Sequence, residues 1–351
     1  MNFYTDRLKT IQWIQVILET DAYYYSAYMD MLDTIHSVQK ANQFPRNVTV
    51  QVMWDGDKTK DTVLHQFDSS GEQMTKIEKT INLSERVSSY VNTCIEQMPE
   101  ATVRIFSFYV HGNIWFLRHF GKVIAFRDIF VKIKYPVDII NLESCYTASI
   151  EMCLETVNKA RYLIASEAGH ARCSMLSAHC LRSLSRYSSE DSVRDLSIFM
   201  ADSFIHRVNY FSYRDKVLLD LACDSSVIDL EEFKQLYPLF VQSELNQQID
   251  AVYRESKTQP KRDPYHLGYD VFSVISKGRC PAVIRNECLL RFSKLVIYYQ
   301  QAKWLREKKW HKRYHGLCWS PAPFDSEYAW TYKLSTAYQD MNQLTIYSRS
   351  L

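Results

Sequence analysis

Two apolar runs in this chain each end in a residue suited to covalent chemistry. Ile105 to Val110 leads into His111-Gly112, and Val137 to Leu142 leads into Glu143-Ser144-Cys145. A thiolate is a strong nucleophile and a nearby imidazole can take and return a proton, so this pair of residue types suits acyl transfer from a carbonyl. Taken singly, His111 also fits a satisfied core histidine, and Cys145 a small buried hydrophobe. Their shared context favours base and nucleophile. Glu143 fits either a pocket carboxylate or a strand-end acid bonded to a neighbouring helix N-terminus.

The elements that must position these residues follow from pattern. Both runs are short, apolar and rich in β-branched and aromatic residues, which predicts buried parallel strands. Residues at the carboxyl ends of neighbouring strands in an open α/β sheet meet in one crevice, where ligands bind. Upstream, the pattern predicts a strand from Ile11 to Leu18, a helix from Ala22 to Val38, a strand from Val48 to Trp54 and a short one from Leu64 to Phe67. A helix from Leu83 to Gln97, with Ser84 as its N-cap, precedes the histidine strand, and Phe126 to Ile133 is the crossover helix to the cysteine strand. A helix over Thr147 to Lys159 would start at the nucleophile and lower its thiol pKa, and Tyr162 to Ser166 is a further strand ending at Glu167. From about Ser189 longer amphipathic helices are expected, over Val193 to Ile205, Asp215 to Ala222 and Leu230 to Val252, with a loop at Gln259 to Pro264.

With 351 residues, 46% of them hydrophobic, the chain can bury one large or two ordinary domains. A formal net charge of +2 gives no bulk electrostatic case for a nucleic-acid or membrane partner. The nine cysteines are odd in number and lack CxxC pairs, which argues against a disulfide framework or structural zinc and for reduced thiols. The residues Met1 to Arg7 do not open a signal peptide, and no stretch reaches the roughly 18 to 20 apolar residues of a membrane span. The expected location is the cytoplasm, or outside the cell by export without a recognisable signal.

The chain resembles the clostripain family of cysteine peptidases, whose caspase-like fold is shared with legumains, gingipains and caspases. The resemblance rests on His111-Gly112, on Glu143-Ser144-Cys145, and on the block Cys145 to Glu167, with Glu151 six positions after the cysteine and Ala165-Ser166-Glu167 at its end. Ile11 to Asp21 with Trp13, Val227 to Leu230, Tyr265 to Ser276 and Gly316 to Pro321 are similar to further family segments. It implies an α/β fold, a caspase-like three-layer α/β/α sandwich with a mostly parallel sheet over residues 1–186, and a largely helical C-terminal region packed on it over 187–351.

The resemblance also implies an activity, that of a cysteine endopeptidase acting on a protein or peptide substrate through Cys145 and His111. The backbone N–H groups of Gly112 and Cys145 would form the oxyanion hole, and glycine after the histidine would avoid crowding the substrate. Glu143 stands where the family carries aspartate at the floor of the pocket for the side chain before the cleaved bond, which implies cleavage after Arg or Lys. A preference for acidic residues is opposed by charge repulsion. Neither a metal nor a cofactor is expected, since no DxDxDG-type loop occurs. The chain departs from the family in lacking further glycines after His111-Gly112, in a short connection to the cysteine strand, and in carrying Ala168 to Cys173 where a glycine-tryptophan segment is usual. These departures keep open a non-catalytic relative, a binding module or effector acting through its C-terminal half. There the basic run with Lys303, Arg306, Lys308, Lys309, Lys312 and Arg313 offers a surface for an acidic partner, although such a run is more often a solvated helix face.

Overall fold

The strand β1 (Ile11–Leu18) is buried along its whole length and sits near the centre of an 11-stranded sheet. The structure, a computed structural model, describes residues 10–18, 22–56, 61–79, 81–114, 116–120, 122–170, 173–187, 192–214, 223–245, 269–303 and 314–319. Five strands run parallel in the order β9 (Ala160–Ala165), β8 (Val137–Cys145), β5 (Val103–Asn113), β1 and β2 (Val48–Asp55). Such strands are covered on both faces and so read as continuous apolar runs, which is why they were legible. Antiparallel strands flank them: β3 (Asp61–Asp68) and β4 (Gly71–Glu78) beside β2, β10 (Asp224–Asp229) and β12 (Val296–Gln301) beside β9, while the short β11 (Tyr269–Asp270) pairs outside this sheet with Cys318–Trp319.

Each face of the sheet carries its own core. On one side pack α1 (Ala22–Lys40), α5 (Ala178–Ser183) and α6 (Val193–Arg214), whose Ile35, Leu181 and Leu196 meet Trp13, Ile105 and Ile139. On the other pack α2 (Leu83–Gln97), α3 (Phe126–Phe130), α4 (Ile150–Thr156), α7 (Leu230–Gln242), α8 (Val271–Lys277) and α9 (Ala282–Leu295). Val91, Ile129, Phe233 and Phe292 of these helices lie in one cluster with Phe106, Phe108 and Leu142. The result is the expected three-layer α/β/α sandwich.

Several local expectations change. The N-cap of α2 is Asn82, whose Oδ1 accepts the Glu85 N–H at 3.0 Å, and Ser84 instead donates to Asn82. The strand at Leu64 to Phe67 runs from Asp61 to Asp68 and pairs with a second strand, β4, that apolar patterning does not reveal because nearly all of its residues are exposed. The crossover helix α3 starts at Phe126 as expected but stops at Phe130, and the chain between His111 and it first forms a hairpin of β6 (Phe116–His119) and β7 (Lys122–Ala125). Val227 to Asp229, in a segment similar to one of the family's, belongs to β10, so the C-terminal half adds strands as well as helices to the sheet. The helix expected to reach Val252 ends at Gln242, with Ser243 as its C-cap and Glu244 at φ 55°, while the helix expected over Asp215 to Ala222 and the loop at Gln259 to Pro264 lie outside the described residues.

Candidate active site

His111 and Cys145 stand at the carboxyl ends of the adjacent parallel strands β5 and β8. The ladder runs in step from Ile105↔Ile139 to Tyr109↔Glu143 and then jumps to Asn113↔Cys145. Val110, His111 and Gly112 thus bulge opposite Ser144 alone, and the bulge leaves the His111 side chain exposed at the rim. Past the bulge β5 pairs with β6 through Gly112↔Leu117 and Asn113↔Phe116.

Gly112 is buried in this hairpin. A Cβ there would lie 2.7 Å from Ser144 Oγ and 2.9 Å from the Phe116 carbonyl oxygen. The glycine is therefore required by the protein's own packing between β8 and β6, a more immediate reason than room for a substrate.

Cys145 is half-buried, one of two cysteines that are not fully buried, and all nine are free thiols. The chain turns sharply after it, with Tyr146 in the left-handed region at φ 57°. The helix expected to start beside the thiol begins only at Ile150, capped by Ser149, whose Oγ accepts the Met152 N–H at 3.1 Å. Between cysteine and helix, the loop is held by Tyr146 N–H to Ala168 O at 2.8 Å, Ala148 N–H to Ser166 O at 2.9 Å and Cys318 N–H to Ala148 O at 2.9 Å. The sulfur accepts the His170 backbone N–H at 3.3 Å. Burial pushes the Cys145 thiol up from its ordinary value, the His170 N–H opposes that rise, and the Asp224 charge adds to it. The expectation of a thiol lowered by a helix N-terminus is corrected accordingly.

Glu143 shares its face of β8 with Cys145 and is 1% exposed. Its Oε2 accepts the Met175 N–H at 2.7 Å and its Oε1 accepts Asn141 Nδ2 at 3.1 Å. Burial pushes the carboxyl up to about 7, against the Met175 N–H, the Ser174 hydroxyl, the Gln15 amide and the Arg207 charge. Arg207 reaches across from α6 and donates to the Ser174 carbonyl and to Asp30 Oδ2, each at 2.6 Å.

A buried polar row crosses the sheet beneath this carboxylate. Gln15, Ser107 and Asn141 are in register on β1, β5 and β8, and Asn141 Nδ2 also donates to Ser107 Oγ at 3.0 Å. Polar residues inside apolar runs were the available signal for this row. His170 and Asp224 carried no such signal, because only the fold brings them to Cys145.

Glu167, at the end of its strand, is buried and accepts the Gly316 N–H at 2.6 Å. Gly316 has φ 95°, and a Cβ there would lie 2.8 Å from Val296 Cγ1. In the basic run, Lys303 is exposed and its N–H donates to Asn209 Oδ1 at 2.7 Å. Arg306, Lys308, Lys309, Lys312 and Arg313 lie outside the described residues. Among the described residues no group of three or more His, Cys, Asp or Glu side chains could hold a metal ion, and no helix is long and apolar enough to cross a membrane.

Neither a family model nor a curated protein sequence matches the chain. Solved structures do. A secreted C11 cysteine protease of Bacteroides thetaiotaomicron, iotapain, superposes with a TM-score of 0.67 at 12% identity, covering 89% of this chain and 93% of that one. An inactive zymogen C11 protease of Parabacteroides distasonis gives a TM-score of 0.67 at 15% identity, over 95% of this chain and 97% of that one. The Bacteroides thetaiotaomicron protease in complex with an irreversible peptide inhibitor gives 0.67 at 12% identity, over 92% and 96%. What this chain shares with the C11 cysteine proteases, over nearly its whole length, is the fold.

Proposed function

We propose that the protein is a cysteine endopeptidase that cleaves after Arg or Lys, with Cys145 as nucleophile and His111 as the base. The observation that carries the reading is the placement of these two residues on adjacent strand ends, at the rim of a sheet with the C11 protease fold. His111 would take the thiol proton, the thiolate would add to the scissile carbonyl, and the protonated imidazole would return the proton to the leaving amine. The N–H groups of Gly112 and Cys145 are the candidates for holding the developing oxyanion. Peptide substrates are supported by the peptide-inhibitor complex of the Bacteroides protease.

Specificity is assigned to Glu143, two residues before the nucleophile and on its face of the strand. A guanidinium pairs with a carboxylate in bidentate fashion, so Arg is favoured over Lys. Since burial pushes the free carboxyl to about 7, its ionised fraction and hence its affinity for a cation rise with pH through that value. KM for Arg peptides accordingly falls as pH is raised through about 7.

A second reading, a binding module acting through the C-terminal half, draws on one observation. Glu143 is enclosed by Met175 and Ser174 while burial pushes the thiol up from its ordinary value. The two readings separate with fluorogenic peptides carrying Arg, Lys, Asp or Leu before the bond, assayed with wild type, Cys145→Ala and Glu143→Gln. A peptidase turns over Arg and Lys peptides, loses that activity by at least about a thousandfold in Cys145→Ala, and loses the basic preference in Glu143→Gln. No turnover of any peptide by wild type would leave the binding module standing.

A further inference from the structure

Asp224 opens β10 in the C-terminal half, more than seventy residues after the cysteine, yet it is tied to Cys145 through two short connections. Its Oδ1 accepts the Ala168 N–H at 3.0 Å, and the Ala168 carbonyl in turn accepts the N–H of Tyr146, the residue after the nucleophile, at 2.8 Å. Two residues beyond Ala168, the His170 N–H meets the Cys145 sulfur at 3.3 Å. The Asp224 carbonyl also accepts Ser166 Oγ at 2.7 Å, and a bridge joins Gly169 to Cys223. The whole stretch from Ser166 to His170 that backs the nucleophile is therefore moored on Asp224 and its neighbour.

We propose that Asp224 is a positioning residue for the nucleophile, holding the strand end that cradles Cys145 and setting, by its own charge, how readily the thiol ionises. This deepens the reading of Cys145 as the nucleophile and rests on it. An anionic carboxylate behind a sulfur disfavours the thiolate, whereas a neutral carboxyl of the same shape keeps the hydrogen bonds without that penalty.

The groups around Asp224 decide which form it takes. Glu167 follows β9, Tyr299 comes from β12, Asp270 precedes α8 and carries His315 on its carboxylate, and Cys318 lies on the adjoining segment. Burial pushes Asp224 up to about 7, against the Ala168 N–H and the Tyr299 hydroxyl. Burial pushes Glu167 well above the usual carboxylate range, and the Asp270 and Asp224 charges add to that rise. As pH rises through about 7, Asp224 ionises and begins to oppose the thiolate it positions.

The test is the pH dependence of Cys145 alkylation by iodoacetamide in the full chain, with the site of labelling read by peptide mass mapping and Cys145→Ala as the blank. In Asp224→Asn, which keeps an oxygen for the Ala168 N–H, the profile is expected to move down by about half a unit, roughly threefold in rate at a fixed pH above about 7 and below the thiol's midpoint. Tyr299→Phe, which removes a hydroxyl that favours the charged carboxylate, is expected to shift it in the same direction and serves if Asp224→Asn does not fold. Profiles that superimpose on wild type in a folded variant, or that move up, would overturn the proposal. Peptide cleavage is not part of this readout. A chain that cleaves nothing but shows the shift supports the role of Asp224, and one that cleaves with unshifted profiles removes it alone.

Discussion

At the scale of the residue, the site is defined by close packing as much as by reactive groups. Gly112 is the sharpest case, because the atoms that a Cβ would meet include the Phe116 carbonyl, which is backbone and cannot rotate away. Gly112→Ala is expected to lower stability by about 1–3 kcal/mol, an overpacking effect, and to reduce turnover with it. Urea unfolding read alongside peptide hydrolysis checks this, and an unchanged midpoint would show that the hairpin can yield. Glu143 illustrates a different lesson. Its position two residues before the cysteine was legible, whereas its partners were not, since Met175, Ser174 and Arg207 reach it from other parts of the chain.

At the scale of the element, the hairpin that follows His111 is anchored far from the histidine. Its strand β6 ends at His119, whose Nε2 lies 3.6 Å from Oδ1 of Asp55, at the carboxyl end of β2. The same buried carboxylate pairs with Lys79 at 2.8 Å and Arg86 at 2.7 Å, and Lys79 lies over the Phe120 ring at 5.8 Å. Burial would raise Asp55, but His119, Lys79 and Arg86 together hold it well below the usual carboxylate range. Asp55→Ala removes the one anion between two half-sequestered cations and is expected to cost about 3–5 kcal/mol. Chemical denaturation measures it, and a loss below about 1 kcal/mol would mean that the cluster behaves as an exposed surface pair. Sequence reading did not foresee this hub, because its members come from β2, α2 and the two hairpins.

At the scale of the whole molecule, the buried acids oppose stability and chemistry to one another. Glu143 and Asp224 are each pushed to about 7, above their ordinary values of 4.5 and 3.8. An acid whose folded pKa is raised holds its proton in the native state at pH values where the unfolded chain has released it, so its effect is to weaken folding as pH rises between those two values. For Glu143 alone the span from 4.5 to about 7 corresponds to about 3 kcal/mol. The melting temperature is therefore expected to fall as pH is raised from about 4.5 to about 7.5, with Glu143→Gln flattening the slope. A melting temperature that rises over that interval in wild type would contradict the burial of these acids. Over the same interval the ionised form of Glu143 becomes more populated, so the affinity for a basic side chain proposed for it is expected to strengthen while the fold weakens.

The sequence by itself determined the parallel core of the sheet, the order of its strands along the chain and the two residues at the strand ends. Strands covered on both faces must be apolar throughout, and this leaves a pattern in the letters of β1, β5 and β8. It could not reveal β4, whose residues are almost all exposed, nor β10 and β12, which join the sheet antiparallel at its far side. Only the tertiary structure decided the surroundings of Cys145 and Glu143. Their hydrogen bonds from His170 and Met175, and the Asp224 charge, join residues distant in sequence through long-range packing. Burial and neighbouring charge, the two effects that set whether a thiol or a carboxyl is ionised, exist only once the chain has closed around them.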